Sequence, residues 1–293
     1  MKKFVLDLKV KSVEKVHERY VLIRLTDDQP LPEMQPGQFV EVRVDGSPAT
    51  FLRRPISINF VDRQANELWL LVACVGDGTR RLAELRPGDT LNCMLPLGNG
   101  WTCPQKTLPR PLPVREGSGY SQAQSLSTPL PHREGLGESL LGESLFLLIG
   151  GGVGVAPLLY LGAVLRQSGV EPTFLLGARS KKDLLMLQEF EKYGRVLVTT
   201  EDGSMGERGF VTNHSVLQQE HFDLIQCCGP TPMMKAVARY ARQSGTACEV
   251  SLENLMACGL GACLCCVEKT TEGNLCVCKE GPVFNINRLL WQD

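Results

Sequence analysis

Four cysteines near the end of the chain have a spacing that suits metal ligation. They are Cys258, Cys263, Cys266 and Cys278. The first three form a C-x4-C-x2-C pattern, which is typical of plant-type 2Fe–2S ligation, where a fourth cysteine follows further along the chain. Glycines between the first two cysteines suit a tight loop, because glycine readily adopts positive φ and lets backbone N–H groups turn toward sulfur. The pattern predicts a one-electron centre, which needs partners that deliver and remove electrons.

Structural zinc is the main alternative for these cysteines. Zinc sites usually combine two short C-x2-C-type pairs, whereas the first gap here is four residues. The spacing therefore favours a 2Fe–2S cluster over zinc. Cys265 and Cys276 lie close to the predicted ligands, and whether either contributes to the cluster stays open.

A glycine-rich loop in the middle of the chain has the form of a dinucleotide-binding turn. It follows the apolar run Phe146–Ile149, and its glycines are Gly150, Gly151, Gly152 and Gly154. A strand, a glycine loop and a helix start form a site for a pyrophosphate, which predicts NAD binding. A β–α turn with a purely structural role is the alternative, because Pro157 stands where the usual pattern has its third glycine.

Two further segments belong to the predicted nucleotide site. Cys228 and Gly229 end a later strand at the same carboxyl edge of the sheet, where ligands collect in α/β folds. The Cys228 thiol would line a nicotinamide pocket or serve as a buried structural cysteine. Arg179-Ser180 would hold a 2′-phosphate or form a solvated turn, so the choice between NAD and NADP stays open.

The first hundred residues contain the pattern of a flavin site. Its candidate residues are Arg54, Pro55, Ile56, Ser57, Leu71, Val72, Ala73, Gly78 and Thr79. An arginine fixed beside a proline can pair with a pyrophosphate, and a hydroxyl three residues later can meet the edge of a flavin ring. Gly78 lets the backbone approach phosphates, and Thr79 opens a short helix. Taken alone, Arg53-Arg54 would equally be a surface arginine pair.

The elements that must position these residues fall into a β-barrel flavin domain, an α/β doubly wound nucleotide domain and a small C-terminal 2Fe–2S module. Short strands separated by turn signals over residues 1–101 predict the FAD-binding barrel. A βα rhythm over 146–250, with helices that include Lys182–Lys192, predicts a doubly wound NAD-binding sheet. Residues 251–293 hold the cysteines and form the cluster module.

Residues 102–145 differ from the rest of the chain. They are rich in Pro, Gly and Ser, and Pro111–Gly117 is echoed by Pro129–Gly135. This composition cannot bury a core, which predicts a disordered low-complexity insertion. A tolerated insertion of repetitive origin is favoured over a tether that binds a partner, because long surface insertions cost little closure entropy.

Composition and charge exclude several classes of function. The chain has 293 residues, is 43% hydrophobic and carries a net charge of −1, which gives no basic field for nucleic acid or an anionic membrane. Its apolar runs are too short to cross a bilayer. The start of the chain lacks the apolar core of a leader peptide, and cysteines clustered for metal ligation favour a reducing cytoplasm.

In this order, the motifs resemble the ferredoxin–NADP reductase superfamily and, within it, the family of dihydroorotate dehydrogenase B electron-transfer subunits. The resembling stretches include Pro36–Phe39, Arg54–Ser57, Gly76–Thr79, Pro96–Gly100, Gly150–Pro157, Met256–Cys263 and Cys278–Phe284. They span nearly the whole chain except 102–145. Leu255 departs from the pattern, because a basic residue is expected there.

The resemblance implies a complete electron-transfer subunit. FAD would be held by the barrel residues named above, and the four cysteines would ligate one 2Fe–2S cluster. An FMN-containing catalytic subunit would oxidise dihydroorotate, electrons would pass through the cluster and FAD to NAD+, and the assembly would be a heterotetramer. This route serves de novo pyrimidine biosynthesis. No catalytic residue is assigned, which fits a chain that leaves substrate chemistry to its partner. The alternatives are a related subunit of a ferredoxin:NAD(P) or sulfide-linked oxidoreductase, and a zinc-stapled interaction protein.

Overall fold

An antiparallel barrel forms the first part of the structure, a computed structural model that describes residues 2–47, 49–104 and 145–291. Its strands are β1 (Phe4–His17), β2 (Tyr20–Thr26), β3 (Phe39–Val42), β4 (Arg54–Asp62), β5 (Glu67–Ala73) and β6 (Thr90–Leu97). They close in the order β1-β2-β5-β4-β3-β6, and helix α1 (Asp77–Leu82) follows β5. Side chains such as Leu8, Val40 and Ile58 are fully buried inside. The predicted barrel is confirmed.

A second sheet of seven strands begins after residue 145. Its elements are β7 (Phe146–Gly151), α2 (Ala156–Gln167), β8 (Thr173–Ala178), α3 (Leu187–Glu191), β9 (Arg195–Thr200), β10 (Glu207–Arg208), α4 (Val216–Gln219), β11 (Leu224–Cys228), α5 (Thr231–Ser244) and β12 (Ala247–Ser251). The order is β10-β9-β8-β7-β11-β12, with all of these strands parallel, and one further strand pairs with β12.

The alternation of side chains along β7 shows that this sheet is covered on both faces. Leu147 and Ile149 share a buried cluster with Val237 of α5, whereas Leu148 shares another with Leu158 of α2. Successive side chains of a strand point to opposite faces, so helices cover the sheet on both sides. The predicted doubly wound architecture is therefore confirmed.

One predicted helix is wrong in its extent. Residues Lys182–Lys192 were expected to form a single helix, but they form a 3-10 turn at Lys181–Asp183 and then the short helix α3. Met186 interrupts them with φ of 56°, a left-handed conformation that cannot continue a right-handed helix.

The C-terminal segment returns to the nucleotide sheet. The strands β13 (Val267–Thr270) and β14 (Gly273–Cys276) form a hairpin, and helix α6 (Val277–Glu280) leads to β15 (Val283–Asn285). Strand β15 pairs antiparallel with β12 and becomes the seventh strand. The predicted cluster module therefore shares a sheet with the predicted nucleotide domain.

Barrel and nucleotide sheet meet along β4 and α2. The Asn59 side chain donates a hydrogen bond to the Ala156 carbonyl (3.0 Å), and the Tyr160 hydroxyl donates one to the Met34 carbonyl (3.1 Å). Phe60 stacks on Tyr193 with ring centroids 5.8 Å apart. The strand with the predicted flavin residues is thus fixed against the first helix of the nucleotide sheet. Of the predicted disordered insertion, residues 105–144 lie outside the described residues.

Candidate functional site

The cysteine loop between β12 and β13 points its backbone toward sulfur. Gly259 and Gly261 have φ of 66° and 80°. The N–H of Leu260 donates to Cys258 Sγ at 3.3 Å, and the N–H of Gly261 donates to Cys278 Sγ at 3.1 Å. This loop therefore has the conformation that its glycines predicted.

Two of the four predicted ligands are in direct contact. The N–H of Cys278 donates to Cys266 Sγ at 3.4 Å. The backbone N–H of Leu260 contributes most to lowering the pKa of Cys258 to about 6, which favours the thiolate. Burial instead raises the pKa of Cys278 to about 12, so this thiol would lose its proton only when a metal binds.

The donor set fits an iron–sulfur cluster by its chemistry. Cys258, Cys263, Cys266 and Cys278 supply four thiols with the spacing that 2Fe–2S ligation uses. Among the described residues, no three ligand-type side chains are gathered as they would be around one metal ion. Of the other two thiols, Cys265 is exposed, and Cys276 contacts the Gly261 carbonyl at 3.8 Å.

The turn after β6 fastens the cysteine segment to the barrel. The N–H of Asn99 donates to the Gly281 carbonyl (2.6 Å), and its side chain donates to the carbonyls of Lys279 (3.2 Å) and Glu280 (3.1 Å). Gly98 lies so close that a Cβ there would be 2.5 Å from Pro282 Cδ. Asn99 is thus a site residue that was named in a motif but given no role.

A buried carboxylate of the barrel lies against the cysteine loop. Glu41 on β3 is 0% exposed, and a Cβ on Gly259 would be 2.8 Å from its Cγ. Neither carboxylate oxygen has a hydrogen-bond partner among the described residues. Burial raises the pKa of Glu41 to about 7, opposed by the nearby Arg53. Sequence reasoning missed Glu41, because a glutamate in a strand pattern gives no sign of burial.

The adjacent arginines at the start of β4 have different environments. The Arg53 guanidinium donates to the carbonyls of Glu41 (3.1 Å) and Asn92 (3.2 Å) and to the Asn92 side chain, so it fixes the barrel wall. Arg54 instead faces Gly78, where a Cβ would lie 3.2 Å from its Nε and 3.0 Å from Thr50 Cγ2. The absent side chain of Gly78 leaves a cradle beside a guanidinium, which fits the pyrophosphate of FAD.

The remaining flavin candidates frame this cradle. Pro55, Ile56 and Ser57 are half-buried on β4, and Ala73 is half-buried at the end of β5. Val72 points into the barrel core, so only its backbone is available to a ligand. The Thr79 hydroxyl accepts from the N–H groups of Val75 and Gly76, both at 3.1 Å, which shapes the loop before α1.

A cleft of about 550 Å³ opens at the carboxyl edge of the seven-stranded sheet. Its lining residues come from the ends of β7, β8 and β9, from the segments after β10 and β11, from the start of α5, and from the turn that leads into β2. They include Arg19, Tyr20, Gly151, Gly152, Arg179, Thr199, Glu201, Phe210, Pro230 and Met233. This is the volume and the place expected for a nucleotide in an open α/β sheet. The Thr199 hydroxyl there is fully buried and has no hydrogen-bond partner among the described residues.

Glycines of the nucleotide loop have two roles. Gly151 and Gly152 line the cleft, and Gly152 has φ of 57°, with the Tyr20 hydroxyl 3.9 Å from the place of its missing Cβ. Gly154 packs backbone to backbone, because a Cβ there would lie 2.5 Å from Gly229 Cα. Gly150 instead packs against side chains, because a Cβ there would lie 3.0 Å from both Val155 Cγ1 and Leu158 Cδ1.

Cys228 lies behind the cleft and is not one of its lining residues. It is 1% exposed, and burial raises its pKa well above the ordinary value, with Glu253 acting in the same direction and Ser251 in the opposite one. Arg19 and Tyr20 line the cleft although they belong to the barrel. A local sequence pattern could not reveal them, since the packing of barrel on sheet brings them there.

These sites define a class of protein: an oxidoreductase of the ferredoxin reductase type, with a flavin barrel, a nicotinamide-nucleotide sheet and an iron–sulfur segment. A solved structure of NADH-dependent reduced ferredoxin–NADP oxidoreductase is similar, with a TM-score of 0.77 and 27% identity over 97% of this chain and 90% of that one. The ferredoxin reductase of carbazole 1,9a-dioxygenase shares the fold, with a TM-score of 0.61 and 17% identity over 84% of this chain and 67% of that one.

Comparison with known families and relatives identifies the family. Residues 253–290 match the iron–sulfur cluster binding domain of dihydroorotate dehydrogenase B, and residues 148–239 match the oxidoreductase NAD-binding domain. The electron transfer subunit of dihydroorotate dehydrogenase B (NAD(+)) from Shouchella clausii is 36% identical over 96% of both chains. The corresponding protein of Bacillus velezensis is 35% identical over 94% of this chain and 95% of its own length.

The chain belongs to the family of dihydroorotate dehydrogenase B (NAD(+)) electron transfer subunits. It is an oxidoreductase subunit, and its cofactors are FAD, a 2Fe–2S cluster and NAD. Among its described residues, no helix is both long enough and apolar enough to cross a membrane.

Proposed function

We propose that this chain is the electron-transfer subunit of an NAD-dependent dihydroorotate dehydrogenase in de novo pyrimidine biosynthesis. In this proposal, electrons leave the FMN of a catalytic partner subunit and pass through the 2Fe–2S cluster and FAD to NAD+. The cluster exchanges single electrons, and the flavin combines two of them into a hydride. The two proteins would assemble as a heterotetramer.

The observation that carries the proposal is the position of the cysteine loop between the barrel and solvent. Gly259 lies against Glu41 and Leu97 of the barrel, and Asn99 fastens the nearby residues Lys279 and Glu280. The loop also exposes three apolar side chains, with exposed fractions of 85% for Leu255, 44% for Leu260 and 65% for Leu264. Exposed apolar side chains at a redox loop support docking of a partner subunit there, because electron transfer requires close approach and such a surface is costly to leave in water.

The proposal assigns residues to each cofactor. Cys258, Cys263, Cys266 and Cys278 would ligate the cluster, and Cys265 and Cys276 would not. Arg54 would hold the FAD pyrophosphate over Gly78, and Ser57 would face the flavin. Gly151 and Gly152 would approach the NAD pyrophosphate. Gly150, Gly154, Cys228 and Gly229 would shape the wall behind it.

Cofactor reduction in the intact complex tests the proposal. The chain would be purified without oxygen together with its candidate catalytic subunit, and its iron, flavin and visible spectrum would be measured. We expect flavin bands and a broad iron–sulfur absorption that bleaches on adding dihydroorotate, with NADH formed when NAD+ follows. Flavin and iron that dihydroorotate fails to bleach would contradict the proposal.

A pair of variants tests the assignment of Arg54. Replacing Arg54 with alanine should weaken FAD binding by about 2 kcal/mol, the range of a hydrogen bond to a charged group, with little effect on the flavin-free protein. Arg53→Ala should instead lower the stability of the barrel, because Arg53 bonds the Glu41 and Asn92 carbonyls. Flavin titration and urea denaturation of both variants separate the two roles.

A ferredoxin:NAD(P) or sulfide-linked oxidoreductase subunit is the second candidate. The similarity to NADH-dependent reduced ferredoxin–NADP oxidoreductase supports it, as does Arg179 at the cleft, where a guanidinium would suit a 2′-phosphate. Glu201 lines the same cleft and would repel that phosphate. Comparing rates with NADH and NADPH, and with ferredoxin and dihydroorotate, distinguishes the two candidates.

A further inference from the structure

We infer that Glu41 is a positioning residue for electron flow, whose buried carboxylate lies under the cysteine loop and lowers the reduction potential of the cluster relative to FAD. The inference rests on the proposed function, because it assumes that the cluster binds at the four cysteines and FAD along β4. It assigns a role to a residue that belongs to neither set.

On the cluster side, Glu41 is in contact with the loop itself. A Cβ added to Gly259, the residue after Cys258, would lie 2.8 Å from Glu41 Cγ and 3.2 Å from its Oε1. The same added atom would be 3.1 Å from Leu97 Cδ1, so the carboxylate is enclosed between the loop and the barrel wall. The side chain is 0% exposed.

Nothing among the described residues neutralises this carboxylate by a hydrogen bond. Both of its oxygens are buried without a partner. The charges of Arg53 and Arg54 act on Glu41 through space, but the Arg53 guanidinium directs its hydrogen bonds to the Glu41 carbonyl, the Asn92 carbonyl and the Asn92 side chain. A buried carboxylate without partners is costly, and the energy of such a group is sensitive to any charge that changes beside it.

On the flavin side, the charges have the opposite sign. Glu41 pairs in register with Pro55 of β4, the strand that begins with Arg54. The Arg54 guanidinium points to the Gly78 cradle. A carboxylate therefore lies against the cluster loop, and a guanidinium lies beside the flavin pyrophosphate cradle. An added electron is disfavoured near the first and favoured near the second, so this arrangement directs electrons from the cluster toward FAD.

The test is a redox titration of the purified chain with its cofactors bound. Glu41→Gln keeps the shape of the side chain and removes its charge. The cluster potential would be followed by electron paramagnetic resonance and the FAD potential by absorption, both at pH 8.5. We expect the cluster potential of the variant to be more positive, by roughly a tenfold change in its one-electron equilibrium or about 59 mV, with a smaller change for FAD.

Glu67→Gln is the matched control. Glu67 is the other buried glutamate of the barrel, 6% exposed, but its partners Lys11 and Trp69 lie in the barrel and not in the cysteine loop. Removing the charge of Glu67 should leave the cluster potential unchanged. Equal cluster potentials for wild type and Glu41→Gln would overturn the inference, as would an equal shift in Glu67→Gln.

A second pair keeps the test decisive if Glu41→Gln fails to retain the cluster. Glu41→Asp and Glu41→Asn have the same shape and differ in charge, and the inference requires the more positive potential in Glu41→Asn. Equal potentials in this pair would overturn it. Absence of FAD or of the cluster from the wild-type chain would instead count against the proposed function. Both cofactors present without a shift would count against the role of Glu41 alone.

Discussion

The cysteine loop and the nucleotide loop both depend on glycine, but for different physical reasons. In the cysteine loop, Gly259 and Gly261 adopt left-handed conformations that turn neighbouring N–H groups toward sulfur. In the nucleotide loop, Gly154 is required because its missing side chain lets two backbone segments touch. Gly261 therefore acts mainly through its conformation, and Gly154 acts through its missing side chain. Each loop also shows the other requirement, since Gly152 has φ of 57° and a Cβ on Gly259 would lie 2.8 Å from Glu41 Cγ. Glycines in similar runs can thus report different requirements.

The largest expected effect in this comparison is the loss of a thiolate. Cys266→Ser should remove most of the iron and of the visible absorption, because a serine oxygen poorly replaces a soft thiolate ligand. Its neighbour Cys265 is exposed, and Cys265→Ser should keep both. The loss in each variant would be measured as iron content and visible absorption after anaerobic purification. Iron loss in Cys265→Ser, with none in Cys266→Ser, would reverse the ligand assignment.

The next effect tests volume in the nucleotide loop. Gly154→Ala places a Cβ 2.5 Å from Gly229 Cα and should destabilise the chain by about 1–3 kcal/mol, with weaker NADH binding. Gly154→Asn should be worse, since it adds more atoms to the same contact. Urea denaturation and NADH titration check the order. Gly76→Ala is the control, because a Cβ there meets nothing within 4 Å, and a comparable loss in both variants would refute the volume argument.

A smaller effect concerns how residues 278–284, which include the fourth cysteine, are held against the barrel. Asn99→Ala removes two side-chain hydrogen bonds to the carbonyls of Lys279 and Glu280, at 3.2 and 3.1 Å, and should cost about 1–2 kcal/mol. Hydrogen exchange should accelerate over residues 278–284. Asn66→Ala removes three side-chain hydrogen bonds, each 2.9 Å, from a barrel turn and should leave that exchange unchanged. Slow exchange over 278–284 in Asn99→Ala would show that other contacts hold the segment.

The smallest effect tests whether the left-handed conformation of Gly261 is what the cysteine loop requires. Gly261 has φ of 80°, and a Cβ there would meet mainly the flexible Lys279 side chain at 2.9 Å. Asparagine visits the left-handed region more easily than alanine, so Gly261→Asn should keep more iron than Gly261→Ala, a difference of about 1 kcal/mol. The order Asn above Ala at 261, and Ala above Asn at 154, is the joint expectation. The same order at both positions would remove the distinction between the two loops.

Sequence reasoning predicted the fold well where hydrophobic patterns are continuous. The barrel and the doubly wound sheet were predicted from local runs. The length of β1 has no such signal, because its register shifts near Val10 and again near Lys15, and each shift interrupts the alternation of side chains. Strand β15 has three residues and exists only because β12 offers an edge to it.

The candidate site was predictable only where one short segment carries it. The C-x4-C-x2-C spacing predicted a set of cluster ligands, two of which, Cys266 and Cys278, are in contact in the structure. The cleft is different, since Tyr20 reaches it from the barrel and Glu201 from the end of a strand. The separate roles of Arg53 and Arg54 were also hidden, because they depend on Asn92 and Gly78 elsewhere in the chain.

The pairing of β12 with β15 also bears on how the subunit is built in the cell. Ser251 faces Val283 in register, and the N–H of Leu252 donates to the Pro282 carbonyl at 2.9 Å, so both ends of the cysteine segment are joined by the sheet. Strand pairing therefore contributes to closing this long segment, independently of metal ligation. In zinc fingers, by contrast, the metal supplies the folding energy. We expect the polypeptide without iron to keep the pairing of β12 with β15, which would let the cluster be inserted into a chain that is already folded.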